Sequence, residues 1–422
     1  MIKHSVKKVF PLIIYHILID VMYLYIISPN YSYLGLVSDF NWIKLAVSYV
    51  AVLAVFFLMD HMQRDSTAPS SIIIQWFFLI MIEPLCCIYA LANFPTPFLL
   101  MCLVSFSITI IVIYRMPYIR IRTIKNSQPI LKLLFPAILI FNMVLMFRRF
   151  GIHFSALDFG KIYGIRAEQD TSGLIAYITT WSYKIICPVL FVYSIRRKSI
   201  FGIVACAILQ LLLYFMYPHK TVLFSFAFIL LGMFMLKTNN LIKPMSIFLS
   251  FAAFMTSLYT ILTKKLNLAI LVGRLIHIPA LIKFEHYIFF STHEKLYYSE
   301  GVIGKIIGTV SPYQQASGFL ITEYFSGLQA NSNTGYLAYG YDNFGFAGMI
   351  IMSVLLAIVL KYFDSVAKRI DWKLIASLII YPFVMLNDAD FLTMLLTGGG
   401  ILLMFSVLLF NEFQYSTIRE LE

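Results

Sequence analysis

Apolar runs long enough to cross a bilayer recur along the entire chain, and nothing else constrains its fold as strongly. Twelve stretches qualify: residues 9–27, 42–59, 72–92, 97–114, 130–147, 174–195, 200–217, 221–236, 244–262, 343–362, 374–387 and 394–410, of which the eighth, eleventh and twelfth are the shortest. A hydrocarbon interior offers no water to peptide groups, so each run must satisfy its own backbone. Unbroken runs of about 20 residues, rather than alternating ones of about 10, select helices over a barrel. With 60% hydrophobic residues, 12% charged residues and a mean hydropathy of +0.84, too little polar surface remains to coat a soluble globule of 422 residues. The expected fold is all-α: a polytopic integral membrane protein of about 12 transmembrane helices, residues 1–422 forming one membrane domain with enlarged outer loops at 148–173 and 263–342.

Lysine and arginine set the expected orientation. With the amino end in the cytoplasm, the inner segments hold Lys3, Lys7, Lys8, Arg64, the group from Arg115 to Lys132, Arg196 to Lys198, Lys237, Lys243, Lys361 to Lys373, and Arg419. The short outer turns 28–41, 93–96 and 388–393 hold none, as positive-inside topology requires, so both termini are expected in the cytoplasm. The formal charge of +12 is thereby absorbed by orientation, and no nucleic acid is implied as a partner. The first run reads as an uncleaved anchor, because no small-residue cleavage site follows it. Cys86, Cys87, Cys102, Cys187 and Cys206 all fall inside apolar runs without metal-ligand spacing, so neither a disulfide frame nor a metal is expected. The absence of a phosphate-binding or dinucleotide-binding glycine motif argues against an ATP-driven machine and against a nucleotide cofactor. Glu83 and Lys184, charged residues inside runs, are candidates for a mutual ion pair.

Two outer segments break the charge rule. The first, RRFGIHFSALDFGKIYGIRAEQDTSG, carries Arg148, Arg149 and Arg166 close to the membrane with no task in orientation. In YPHKT, His219 and Lys220 open a descending helix whose dipole is already positive there, a combination that an anion would reconcile. The second large segment begins with a helix expected over 267–286, interrupted or kinked at Pro279. Its periodicity puts Arg274, His277, Leu281 and Glu285 on one face and Lys283 opposite, with the segment lying on the membrane or re-entering it. Farther on, SPYQQASGFLITEYFSGLQANSNTGYLAYGYDNFGFAG supplies Glu323, Asn331, Asn333, Tyr336, Tyr339 and Asp342. Flat phenol faces beside amides and carboxylates suit sugar rings and their hydroxyls. Gly345, Phe346 and Gly348 are expected to pack the following span instead.

The span number, the two outer loops, IYGIR in the first, Arg and His in the second, and NTGYLAYGYDNFGFAG before a late span together resemble the oligosaccharide repeat-unit polymerases of O-antigen and capsule synthesis, the Wzy type. The arginine–ten residues–glycine pattern of some members is absent, Tyr177 standing where that glycine would be. The resemblance implies a glycosyltransferase on the outer face of the bacterial inner membrane. Its donor and acceptor would be undecaprenyl-pyrophosphate-linked oligosaccharides, with membrane lipid around it and room for a chain-length regulator protein as partner. In that reaction Arg166 and Arg274 would hold the leaving pyrophosphate, with Arg148, Arg149 and Lys220 behind them. The acceptor's base would be His277 first, with Glu323, Asp342, Glu285, Asp388 and Asp390 as the other candidates. An O-antigen ligase and a non-enzymatic flippase for the lipid-linked unit remain open as alternatives.

Overall fold

The computed structural model describes residues 2–63, 67–124, 127–158, 160–167, 169, 173–236 and 240–411. Among them the chain is helical, with no β-strand. In chain order the helices are α1 Lys8–Leu34, α2 Trp42–Met62, α3 Pro69–Leu91, α4 Thr96–Arg115, α5 Ile130–Phe150, the short α6 Ile162–Ala167, α7 Gly173–Arg196, α8 Ile200–Met216 and α9 Lys220–Met235. There follow α10 Ile242–Thr263, α11 Ala269–Leu275, α12 His277–Thr292, α13 Gly301–Ile307, α14 Ser317–Ser326, α15 Gly335–Val366, α16 Trp372–Val384, α17 Phe391–Leu395 and α18 Gly400–Val407. Eight of these, α1 to α5 with α7, α10 and α15, are long and apolar enough to cross a membrane, while α8, α9 and α16 are shorter apolar helices. The run expected as a twelfth span is divided between α17 and α18 at Gly399, whose φ of +84° suits glycine.

The helix α3 is buried along its whole length and forms the axis of the bundle, with α2, α12 and α16 packed on it. Two further long pairs, α4 with α15 and α1 with α10, flank that axis. Polar clamps tie connections that the alternation of spans puts at the same end. At one end Lys8 pairs with Asp60 at 2.7 Å, Arg196 pairs with Asp371, and Ser70 donates from its N–H and its hydroxyl to Asp364 at 2.8 and 2.7 Å. At the other, Asn93 donates to Asp39 at 2.9 Å and Lys44 to the Phe94 carbonyl at 2.7 Å. The expected inner cations Arg64, Lys125, Lys237 and Arg419 lie outside the described residues.

Two boundaries differ from expectation. The break in 267–286 comes at Ile276 (φ −107°, ψ −66°), not at Pro279, which sits in the first turn of α12 where a missing N–H costs nothing. Moreover, α12 is not a surface helix: it is wedged between α3 and α15, with ten of its side chains buried. The late span also starts earlier than expected, at Gly335. It kinks at Phe344 and Gly345, where Gly345 has φ +61° and ψ −146°. At that kink Gly340 and Gly348 face each other so closely that a Cβ on either would strike the other's backbone carbonyl.

Candidate functional site

A cavity of about 1100 Å³ opens where the segments 148–173 and 263–342 converge. Its wall takes Leu34 from α1, Arg166 and Gln169 from the first large segment, Tyr217 and His219 from the turn before α9, and Arg274 from α11. More of the wall is built by Leu281, Ile282 and Glu285 of α12, Thr322 and Ser326 of α14, the strip Leu328–Asn333, and Asp388. Of the residues singled out in the sequence, Arg166, His219, Arg274, Asn331 and Asn333 are therefore brought to one cavity. Glu285 and Asp388, secondary candidates for the base, join them.

The other candidates do not line it, each for a visible reason. His277, directly after the break at Ile276 that separates it from the helix of Arg274, is fully buried and donates from Nε2 to the Ile19 carbonyl at 3.1 Å. Asp342 is equally buried, its Oδ2 lying 2.7 Å from His286 Nδ1. Since α15 begins at Gly335, Tyr336 falls inside the bundle beside Phe77, with ring centroids 6.0 Å apart, and half-buried Tyr339 packs edge-on against Tyr298 at 5.9 Å. Glu323 turns outward and accepts from Gln315 Nε2 at 2.6 Å, leaving its neighbours Thr322 and Ser326 to face the cavity. Arg148 and Arg149 are exposed in the last turn of α5, where cations offset the helix dipole, and Arg149 lies over the Phe150 ring at 5.3 Å. Lys220 is the first residue of α9, outside the cavity wall that His219 reaches. The suggested partner of Glu83 is also corrected: Glu83 Oε2 lies 2.5 Å from His16 Nδ1, not beside Lys184.

Charge in the cavity is divided. Arg166 and Arg274 bring positive charge to the lining, and burial together with the charges of Arg166 and Lys184 lowers the His219 pKa to about 3, so its imidazole is neutral. On α12, burial pushes the Glu285 carboxyl up to about 8. The backbone at Gly35 (φ +89°) comes so near this carboxyl that a Cβ there would lie 3.0 Å from Oε1. Asp388 is raised by burial to about 6, with the Lys283 charge opposing the rise. Lys283 itself is buried, held by the carbonyls of Pro279 (3.1 Å) and Asn387 (2.7 Å) and by Asn387 Oδ1 (3.0 Å), which fixes the turn that carries Asp388. Sequence reasoning put Lys283 opposite the functional face but missed this clamp, since nothing in the local pattern pairs residues 283 and 387.

Family models, curated proteins and solved structures gave no match to this chain.

Proposed function

We propose that the cavity carries out glycosyl transfer from a polyprenyl-diphosphate-linked oligosaccharide to a hydroxyl of a second lipid-linked unit, polymerising repeat units outside the membrane. One observation carries this reading: two arginines from separate outer segments share a cavity with two carboxyl groups of different acidity and the amide strip Gln329–Asn333. In the reaction the bond between the donor's anomeric carbon and the diphosphate oxygen breaks as the bond to the acceptor oxygen forms. Arg166 and Arg274 take the charge that grows on the diphosphate, their planar forks matching its oxygens. Asp388, ionised at neutral pH, accepts the acceptor's proton, while Glu285 stays in its acid form and donates to a sugar oxygen. Gln329, Asn331 and Asn333 supply paired donors and acceptors for sugar hydroxyls.

Deleting the gene and resolving surface polysaccharide on a gel tests the reading. Loss of a polymerase leaves core carrying a single repeat. An absence of even that product points to a ligase, and units trapped inside the cell point to a flippase; either outcome overturns the proposal.

A further inference from the structure

A second cluster of titratable groups lies away from the cavity, where α1, α2 and α3 meet inside the bundle. The wide π-helical turn Phe78–Ile82 of α3 leads directly into Glu83, and the Leu79 carbonyl in that turn accepts the hydroxyl of Tyr15 at 3.0 Å. Glu83 and His16 are 0% exposed and Asp20 is 6% exposed. Glu83 Oε2 stands 2.5 Å from His16 Nδ1, and Asp20 Oδ2, one turn along α1, stands 3.9 Å from His16 Nε2. Tyr49 of α2 donates its hydroxyl to that same Asp20 oxygen at 2.9 Å, its ring meeting the imidazole edge-on at 4.5 Å. Glu83 Oε1 and His16 Nε2 are buried with no hydrogen-bond partner among the described residues.

Among the described residues the surroundings provide no further cation. Around the trio stand Tyr15 and Tyr23 of α1, Cys86 and Cys87 of α3, and Cys102 of α4. The helix α10, packed along α1, has only Lys243 and Tyr259 as titratable residues, and Lys8 is engaged by Asp60 at the end of the bundle. From α12 comes His277, bonded to the Ile19 carbonyl. With both carboxylates ionised and the imidazole charged, the trio would still leave one negative charge uncompensated in a buried site. Neutrality requires two protons among the three groups; the 2.5 Å contact between Glu83 and His16 favours an imidazolium with one carboxylate, leaving the second proton on a carboxylic acid.

We propose that His16, Asp20 and Glu83 form a proton-binding site within the membrane-spanning bundle, sharing two protons at neutral pH. This inference does not depend on the glycosyl-transfer reading. The site also touches the cavity's frame, because His277 bonds to α1 between His16 and Asp20 and is followed by Ile278 and Pro279, which line the cavity.

Infrared spectra of the full-length protein in lipid nanodiscs at neutral pH test the proposal. Either Glu83→Gln or Asp20→Asn leaves a neutral imidazolium–carboxylate pair, so each should lose one carboxylic-acid C=O band relative to wild type. His16→Gln should gain such a band, since both carboxyls must then be protonated. Tyr49→Phe, which removes only a hydroxyl from Asp20, should shift the shared band and provides a readout if the carboxyl variants do not fold. An acid-band region unchanged in either folded carboxyl variant, or unmoved in Tyr49→Phe, overturns the proposal.

Discussion

Arg166 and Arg274 reach the cavity from different helices, and replacing each by lysine separates the geometry of a fork from its charge. If both guanidiniums grip the diphosphate, Arg166→Lys and Arg274→Lys should each lose about 100- to 1000-fold in turnover, nearly as much as alanine. Polymerisation of lipid-linked repeats by purified protein checks this, and it should persist in excess EDTA because the forks take the place of a divalent ion. A variant that keeps wild-type chain length sinks the clamp. The carboxyls predict a bell-shaped rate profile: activity should rise as pH passes about 6, where Asp388 becomes the free base, and fall beyond about 8, where Glu285 loses its proton. Asp388→Asn should remove the acid limb, whereas His277→Gln should leave both limbs in place. At this scale the place of Arg166 in the cavity was legible because a cation beside a membrane without a topological task stands out, although the same reasoning also singled out Arg148 and Arg149, which do not line it. Which titratable group would face the cavity was not legible: the face expected to carry Arg274, His277 and Glu285 is interrupted at Ile276, between Arg274 and the other two, by a backbone break that no proline or glycine marks.

Helix periodicity located α15 but gave neither its start nor its bend. Both follow from glycine: Gly335 and Gly345 have φ of +73° and +61°, and Gly340 and Gly348 abut across the kink. Without a Cβ the chain adopts these angles freely, and any other residue at 345 is strained. Gly345→Ala should therefore lower the unfolding free energy by about 1–3 kcal/mol, read as an earlier thermal transition in detergent. The same early start splits the Asn- and Tyr-rich stretch into two parts. Asn331 and Asn333 lie before the helix and line the cavity, while Tyr336 and Asp342 are sealed within the bundle. Asn333→Ala should accordingly weaken acceptor use without changing expression. Composition alone suggested a sugar-binding surface across the whole stretch, but only the helix start at Gly335 divides the cavity-lining part from the buried part.

For the molecule as a whole, the apolar runs foretold the helical bundle because a bilayer leaves a spanning backbone few alternatives. They did not foretell α12, a helix of the segment 263–342 wedged between α3 and α15, since that placement rests on contacts distant in sequence. Sidedness is the property on which every chemical role above depends. Loops of alternating sign place Ser155 and Asn333 at the cavity end and Ser199, between α7 and α8, at the end clamped by Arg196 and Asp371. All three residues are exposed, and Cys86, Cys87, Cys102, Cys187 and Cys206 are buried, so single cysteines in a cysteine-free background report position without competition. An impermeant maleimide applied to intact spheroplasts should label Ser155→Cys and Asn333→Cys and spare Ser199→Cys. Labelling of Asn333→Cys should also slow when a soluble oligosaccharide diphosphate occupies the cavity, whereas Ser155→Cys, outside its lining, should react as before. Reaction of Ser199→Cys alone would turn the cavity toward the cytoplasm, where a site for joining lipid-linked units after their export has no purpose.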